Sequence, residues 1–175
     1  TPEQALHAAQ ISRHKERPEI IYMPVPFSYS PLIDKVRDLL PQQEMYLVGG
    51  AVRDVLLNRL SRDLDFAVPS NGISLARRVA NAVKADFMAL DNERDTGRVI
   101  VTESDGTRIF LDFATYRGSN IEEDLRARDF TINAIAFDVQ AQTLIDPLNG
   151  ASDLRAKVIH ACSATSLSDD PVRIL

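Results

Sequence analysis

The run Ser61-Arg62-Asp63-Leu64-Asp65-Phe66-Ala67-Val68 constrains this chain more tightly than any other segment. Side chains alternate faces along a strand, so residues 63, 65 and 67 line one side while Leu64, Phe66 and Val68 line the other. Such a strand buries one face and presents two carboxylates on its opposite face. Like charges held that close repel unless something cationic sits between them, and a divalent metal is the usual answer. Shortly upstream, Leu47-Val48-Gly49-Gly50-Ala51-Val52-Arg53-Asp54 reads as a strand, a Gly-Gly turn and the start of a helix. Backbone N–H groups at such a turn suit a phosphate. Metal together with phosphate points to phosphoryl or nucleotidyl transfer.

The chain has 175 residues, 45% of them apolar, enough for one substantial core with a small element attached. No apolar stretch approaches a membrane span, and the opening residues lack the apolar segment of a secretory signal. A net charge of −5 is a poor match for a broad basic grip on nucleic acid. It leaves room for an enzyme that touches RNA only at its end, because an acidic metal site subtracts from the balance. Cys162 is the only cysteine, which rules out an internal disulfide and a Cys-based zinc site. The chain opens at Thr1 without Met and stops at Leu175 in a helix-like run, and the expectation is a piece of a longer protein.

Residues 1–30 carry Pro18, Pro24 and Pro26 and read as an extension with one short helix at Glu3–Lys15. Pro31 can open a helix, and Leu32, Ile33, Val36, Leu39 and Leu40 recur at helical spacing. Strands are expected at Met45–Val48, Leu64–Val68, Phe87–Leu90 and Thr143–Ile145. Helices are expected at Ala51–Leu57, Ser74–Val83 and Glu122–Asp138, and again over 153–160 and 168–175. Asp91–Gly97 reads as a charged loop, and Arg98–Thr102 with Thr107–Thr115 as a hairpin turning at Asp105-Gly106. Interleaved strands and helices make this an α+β fold, a mixed α/β arrangement with a mixed sheet flanked by helices. The expected division is an extension over 1–30, a catalytic head over 31–150 and the start of a helical neck over 151–175.

On the second hairpin strand, Phe110, Asp112 and Ala114 share one face, and Ile109, Leu111 and Phe113 share the other. An unpaired carboxylate buried at Asp112 would cost several kcal/mol, so it needs a partner. A metal at Asp63 and Asp65 is a good candidate if the strands are neighbours. Each element also has a plainer reading. Asp-x-Asp describes a solvated strand end, Gly49-Gly50 a close-packed turn, and Arg53-Asp54 a surface ion pair. Arg126 and Arg128 can balance Glu122, Glu123 and Asp124 on a solvated helix face. Asp170 and Arg173 can be a helix start with an intrahelical pair, or a carboxylate and a guanidinium aimed together at a base edge.

Taken in order, the motifs resemble those of class II tRNA nucleotidyltransferases (CCA-adding enzymes) and the related bacterial poly(A) polymerases. The resemblance rests on Leu47–Leu57 with Asp63-Leu64-Asp65, on Asp124–Ala136 containing Arg126-Ala127-Arg128-Asp129, on Asp146-Pro147-Leu148-Asn149-Gly150 and on Asp169–Leu175. It covers roughly residues 45–175. It implies a nucleotidyltransferase head in which Asp63, Asp65 and Asp112 are the catalytic, metal-holding carboxylates for two Mg²⁺ ions. It implies that Gly49, Gly50 and Arg53 cradle a triphosphate, and that Arg128, Asp129 and Asn133 approach ribose and phosphates. Asp170 and Arg173 would read the incoming base. The implied partners are ATP, CTP and a tRNA 3′ end, in the cytoplasm and away from membranes. The implied activity is template-independent addition of CMP and AMP to tRNA. Poly(A) polymerase and CC-only or A-only addition are the rivals within the enzyme class, and a non-catalytic nucleotide-binding regulatory module is the rival outside it. Two departures stand out: Ala127 replaces the first Arg of the usual Arg-Arg-Asp, and Asp169 replaces a Glu. The segment Asp91–Gly97 resembles the family's flexible loop beside the cleft.

Overall fold

The computed structural model describes residues 31–164. The expected extension over 1–30, the helix over 168–175, and Asp170 and Arg173 lie outside the described residues. Helix α1 (Pro31–Leu39) begins on the proline and buries Ile33 and Val36, one turn apart. It leads to β1 (Tyr46–Val48), α2 (Gly50–Leu56), β2 (Asp63–Val68) and α3 (Gly72–Val83). The strands β3 (Asp86–Asp91), β4 (Thr96–Thr102) and β5 (Arg108–Thr115) follow, then α4 (Ile121–Arg126) and a 3₁₀ turn at Thr131–Asn133. Strands β6 (Ala136–Asp138) and β7 (Thr143–Ile145) and helix α5 (Gly150–Ala156) complete the described chain.

All seven strands form one sheet in the order β3-β4-β5-β2-β1-β6-β7. The β2–β5 pair is parallel and the other five are antiparallel, so the sheet is mixed, and with its helices the fold is α+β. Parallel pairing needs a crossover, and α3 with the β3–β4 hairpin supplies it. One face is covered by the main core. There Leu64, Phe66, Val68, Leu111 and Phe113 pack with Leu75, Ala76 and Val79 of α3 and with Ile33 and Val36 of α1. The Phe66 and Phe113 rings stack with centroids 4.8 Å apart. The other face carries a smaller cluster, in which Val48, Ala67 and Ala136 pack with Ile121 and Leu125 of α4 and with Ala134.

The alternation expected of β2 and β5 holds: Leu64, Phe66, Ile109, Leu111 and Phe113 are buried, while Asp63 and Asp65 stay open to solvent. The helix expected over Glu122–Asp138 is not formed as one element. The helix closes at Ala127, which caps it, and Asp129 accepts the N–H of Phe130 at 2.7 Å, holding a bend. Ile135 then enters the main core while Ala134 and Ala136 enter the smaller one, as a segment threading between two layers must. Ala136–Asp138 pairs with β1 as a strand. The helix expected over 153–160 instead spans Gly150–Ala156, with Ala151 in the main core. The charged loop is shorter than expected, since β4 already begins at Thr96.

Candidate functional site

Register places the carboxylates. Asp65 on β2 is opposite Asp112 on β5 and, on its other side, opposite Val48 of β1. Asp112 is opposite Arg98 of β4, which is opposite Met88 of β3. Directly paired residues share a face, so Val48, Asp65, Asp112, Arg98 and Met88 form one row across five strands. A second row runs Asp63, Phe110, Ile100, Asp86. Neighbouring strands lie about 4.8 Å apart, which holds the two carboxylates within direct electrostatic reach.

Desolvation raises the pKa of Asp65 above the usual carboxylate range, and the Asp112 charge adds to it. Arg128 opposes the rise, Asp63 reinforces it and Arg98 opposes it. Although Asp65 is exposed, it is walled in by protein and by like charge. Asp112 is paired: Arg98 donates from Nε to Oδ1 and from Nη2 to Oδ2, both at 2.7 Å. This pairing lifts the Arg98 guanidinium further above its already high value. Among the described residues, no three His, Cys, Asp or Glu side chains converge closely enough to hold one metal together. The expected third ligand therefore sits in the right register with both oxygens engaged by an arginine.

Beside Asp65 the chain turns at Gly49, with φ +69°. A Cβ built there would lie 3.4 Å from Arg128 Nη1 and 3.7 Å from Asp65 Oδ2, so the turn brings backbone close to both. The left-handed φ and this close approach together explain glycine at that position. Arg53 on α2 donates from Nη1 to Asn133 Oδ1 at 2.8 Å, and Asn133 Nδ2 reaches Asp129 Oδ1 at 3.2 Å. Arg128 is fixed by Asp124, whose Oδ2 accepts from Nη2 at 2.8 Å and from Nε at 3.1 Å. The other oxygen of Asp124, which is buried, accepts the Arg117 N–H. The structure thus gathers Gly49, Gly50, Arg53, Asp65, Asp112, Arg128, Asp129 and Asn133 where β1 ends beside Asp65 of β2 and Asp112 of β5, with Asp63 at the start of β2.

An open cleft of about 830 Å³ adjoins this group, lined among others by Asn71, Arg94, Asp95, Tyr116, Arg117 and Arg128. Asp63 and Asp65 lie outside its lining, and Arg128 joins the two regions. Asp95 shapes one wall: its oxygens accept from Gly72 N, Ile73 N and the Thr115 hydroxyl at 2.8 to 3.0 Å. Desolvation works against its charge, yet the hydrogen bonds led by that of Ile73 hold its pKa below the usual range. Tyr116, which also lines the cleft, donates its hydroxyl to Glu44 Oε1 behind it, and so does Tyr46.

Sequence reasoning missed Arg98, Asp124 and Asp95. A hairpin turning about Asp105 pairs residues equidistant from it, and Arg98 and Asp112 are such a pair, so the first was recoverable. Asp124 looked like an ordinary acidic residue in a first helical turn, and nothing local marks its burial.

Residues 45–121 and 115–160 match the model of the poly A polymerase head domain. The chain belongs to that family. This head domain is 45% identical over 139 residues to a CC-adding tRNA nucleotidyltransferase of a Synechocystis species, covering 78% of this chain and 32% of that protein. It is 42% identical over 127 residues to an A-adding tRNA nucleotidyltransferase of Deinococcus radiodurans, covering 73% and 27%. Among solved structures it resembles a tRNA nucleotidyltransferase complexed with a primer tRNA and an incoming ATP analog. That match has a TM-score of 0.70 and 35% identity, over 81% of this chain and 42% of that one. The chain therefore spans about a third of the length of the curated relatives it matches. Among the described residues, no helix is long and apolar enough to cross a membrane.

Proposed function

We propose that this head domain transfers CMP or AMP from CTP or ATP to the 3′ end of tRNA, without a template. The observation that carries the reading is the position of Asp65, between the Gly49 turn with Arg128 on one side and Asp112 on the other. It is supported by kinship with CC-adding and A-adding enzymes. In this reading residues 31–150 are the catalytic head, residues 151–175 begin a neck, and the protein works in the cytoplasm.

Asp63 and Asp65 would hold divalent metal, two Mg²⁺ ions in this reading. The fit rests on their donor chemistry, two hard carboxylates on one face of β2, with a third carboxylate, Asp112, opposite Asp65. Asp112 is the third carboxylate, and it enters that donor set only by giving up Arg98. When bound, the ions would neutralise triphosphate charge and make the RNA hydroxyl a better nucleophile. The Gly49-Gly50 turn, Arg53 and Arg128 bind the triphosphate, and Asp129 and Asn133 orient Arg53 and the ribose. Asp170 and Arg173 are assigned the base edge. The 3′-hydroxyl oxygen bonds to the α-phosphorus, the bond to the bridging β-oxygen breaks, pyrophosphate leaves and the hydroxyl proton passes to solvent.

The test is Asp63→Ala and Asp65→Ala, assayed with labelled CTP and ATP on a tRNA lacking its 3′ end. Each should lower turnover by roughly 10³-fold, the several kcal/mol expected from losing metal-based charge stabilisation. Near-normal turnover would sink the proposal. Running ATP and CTP on an unstructured RNA alongside separates tRNA-specific addition from poly(A) synthesis.

A further inference from the structure

The face that carries Asp63, Asp65 and Asp112 is rich in negative charge. Asp63 and Asp65 are exposed, Asp112 is half-buried, and Asp86 lies exposed in the Asp63 row. Three guanidiniums stand near, and their partners differ. Arg53 pairs with Asp54 and donates to Asn133, and Arg128 is held by the buried Asp124. Of the three, Arg98 is the one whose partner is a site carboxylate: it grips both oxygens of Asp112 from the facing position on β4. A guanidinium fork on both oxygens occupies the side from which a cation would reach them together. The same guanidinium carbon lies 5.1 Å from the centroid of the Phe110 ring, and Phe110 is the neighbour of Asp63 across the strand pair. A ring face attracts a cation without any carboxylate, so Arg98 has a second seat if Asp112 turns away.

We propose that Arg98 is a displaceable counter-ion: it holds Asp112 while no cation is bound, and it swings onto Phe110 when divalent metal takes its place on that carboxylate. The inference rests on the metal-dependent reading above and adds a positioning residue to it. Without Arg98, Asp112 would face Asp65 one strand spacing away, about 4.8 Å, with its own charge uncompensated. A half-buried carboxylate left in that state destabilises the sheet, and an arginine directly across the strand pair relieves it. A doubly charged ion among the carboxylates attracts Asp112 more strongly than one guanidinium does, and repels that guanidinium. Filling the site is therefore an exchange of one cation for another, and Asp112 is compensated in both states. The exchange also accounts for the open spacing of the acidic groups. Among the described residues no three His, Cys, Asp or Glu side chains converge, and Asp112 is the site carboxylate held by an arginine. Arg98 on this view sets how tightly metal binds, since part of the binding free energy goes into displacing it.

The experiment uses the whole chain, without RNA or nucleotide. Mg²⁺ is titrated into isotope-labelled protein while NMR follows the Arg98 Nε–H resonance, assigned by its loss in Arg98→Lys. It should start at the position of a salt-bridged arginine and move to that of a free one. In parallel, Mn²⁺ binding is read from the paramagnetic signal of the free ion. Arg98→Met, which keeps an apolar stem beside Phe110 but not the charge, should tighten Mn²⁺ binding about tenfold, as removal of one competing charge close by implies. It should also lower the melting temperature in chelator by several degrees, and saturating Mn²⁺ should restore most of that loss. Arg98→Lys, which keeps the charge without the fork, should fall between parent and Arg98→Met. In an Asp112→Asn background, most of the effect of Arg98→Met on affinity should disappear. A resonance that stays in place at saturating Mg²⁺, or a Mn²⁺ affinity unchanged in Arg98→Met, overturns the proposal and makes the pair a static link between β4 and β5. The titration of the parent decides the matter even where a variant fails to fold. If neither parent nor Arg98→Met binds Mn²⁺ at millimolar concentration, the metal reading falls together with the exchange, whereas binding with an unmoved resonance removes the exchange alone.

Discussion

Asp65 faces Asp112 across one strand pair and has Asp63 two residues away on its own strand. Its folded pKa is raised, by desolvation first and then by Asp112. A carboxylate whose folded pKa exceeds its unfolded one weakens the fold wherever it is ionised. The penalty is absent below the ordinary carboxylate range and complete above the raised folded value. Asp65→Asn should therefore raise the melting temperature by a few degrees at neutral pH in the presence of a chelator. The gain should vanish at pH 3, and turnover should be lost at every pH. Thermal scans at the two pH values check this, and a variant less stable than the parent at pH 7 would refute it. The same logic accounts for the arginines nearby: Arg128 and Arg98 both lower the Asp65 pKa, and each is held by a carboxylate of its own.

At the scale of elements, α3 lacks a side-chain cap of its own, because Asn71 at its start is left-handed and makes no capping bond. Asp95 supplies the cap from the β3–β4 turn, accepting from Gly72 and Ile73. Asp95→Ala should cost about 1–2 kcal/mol by loss of that cap and should loosen the cleft wall. The contribution depends on pH in the usual carboxylate sense. With the folded pKa lowered, it is present above the unfolded value near 3.9 and is lost as pH falls through the folded one. Urea melts of parent and variant should differ by that amount at pH 7, and the difference should shrink as the pH is taken below the ordinary carboxylate range. This device was invisible in the sequence because residues 72 and 95 meet only after β3 turns back. Strands β2 and β5 were legible because their alternation of apolar and acidic residues has a single two-sided solution. The segment after Ala127 was not, because Ile132, Ala134, Ile135 and Ala136 fit a helical stripe as well as a run crossing between two layers. Only the pairing of Ala136 with Val48 decides it. Gly49 and Arg128 were each singled out, yet their approach to one another depends on that same bend.

Across the whole molecule, β2 joins the two halves of the sheet, pairing β5 on one side and β1 on the other. Its buried face holds Phe66, which stacks on Phe113 of β5 and sits in the main core, 1% exposed. Its exposed face holds Asp63 and Asp65. Stability and site geometry therefore pass through the same six residues. Phe66→Ala removes a ring that touches both halves and should cost about 3–5 kcal/mol, as deletions of buried aromatics do. Leu60→Ala is the matched control. At 82% exposure it should stay within about 0.5 kcal/mol of the parent. Because the core is continuous across β2, both variants should still unfold in one transition, seen alike by far-UV circular dichroism and by a probe on β3 or β7. Two separated transitions in Phe66→Ala would show that the halves fold independently. In that case the carboxylate row spanning them would be assembled by docking rather than by the sheet itself.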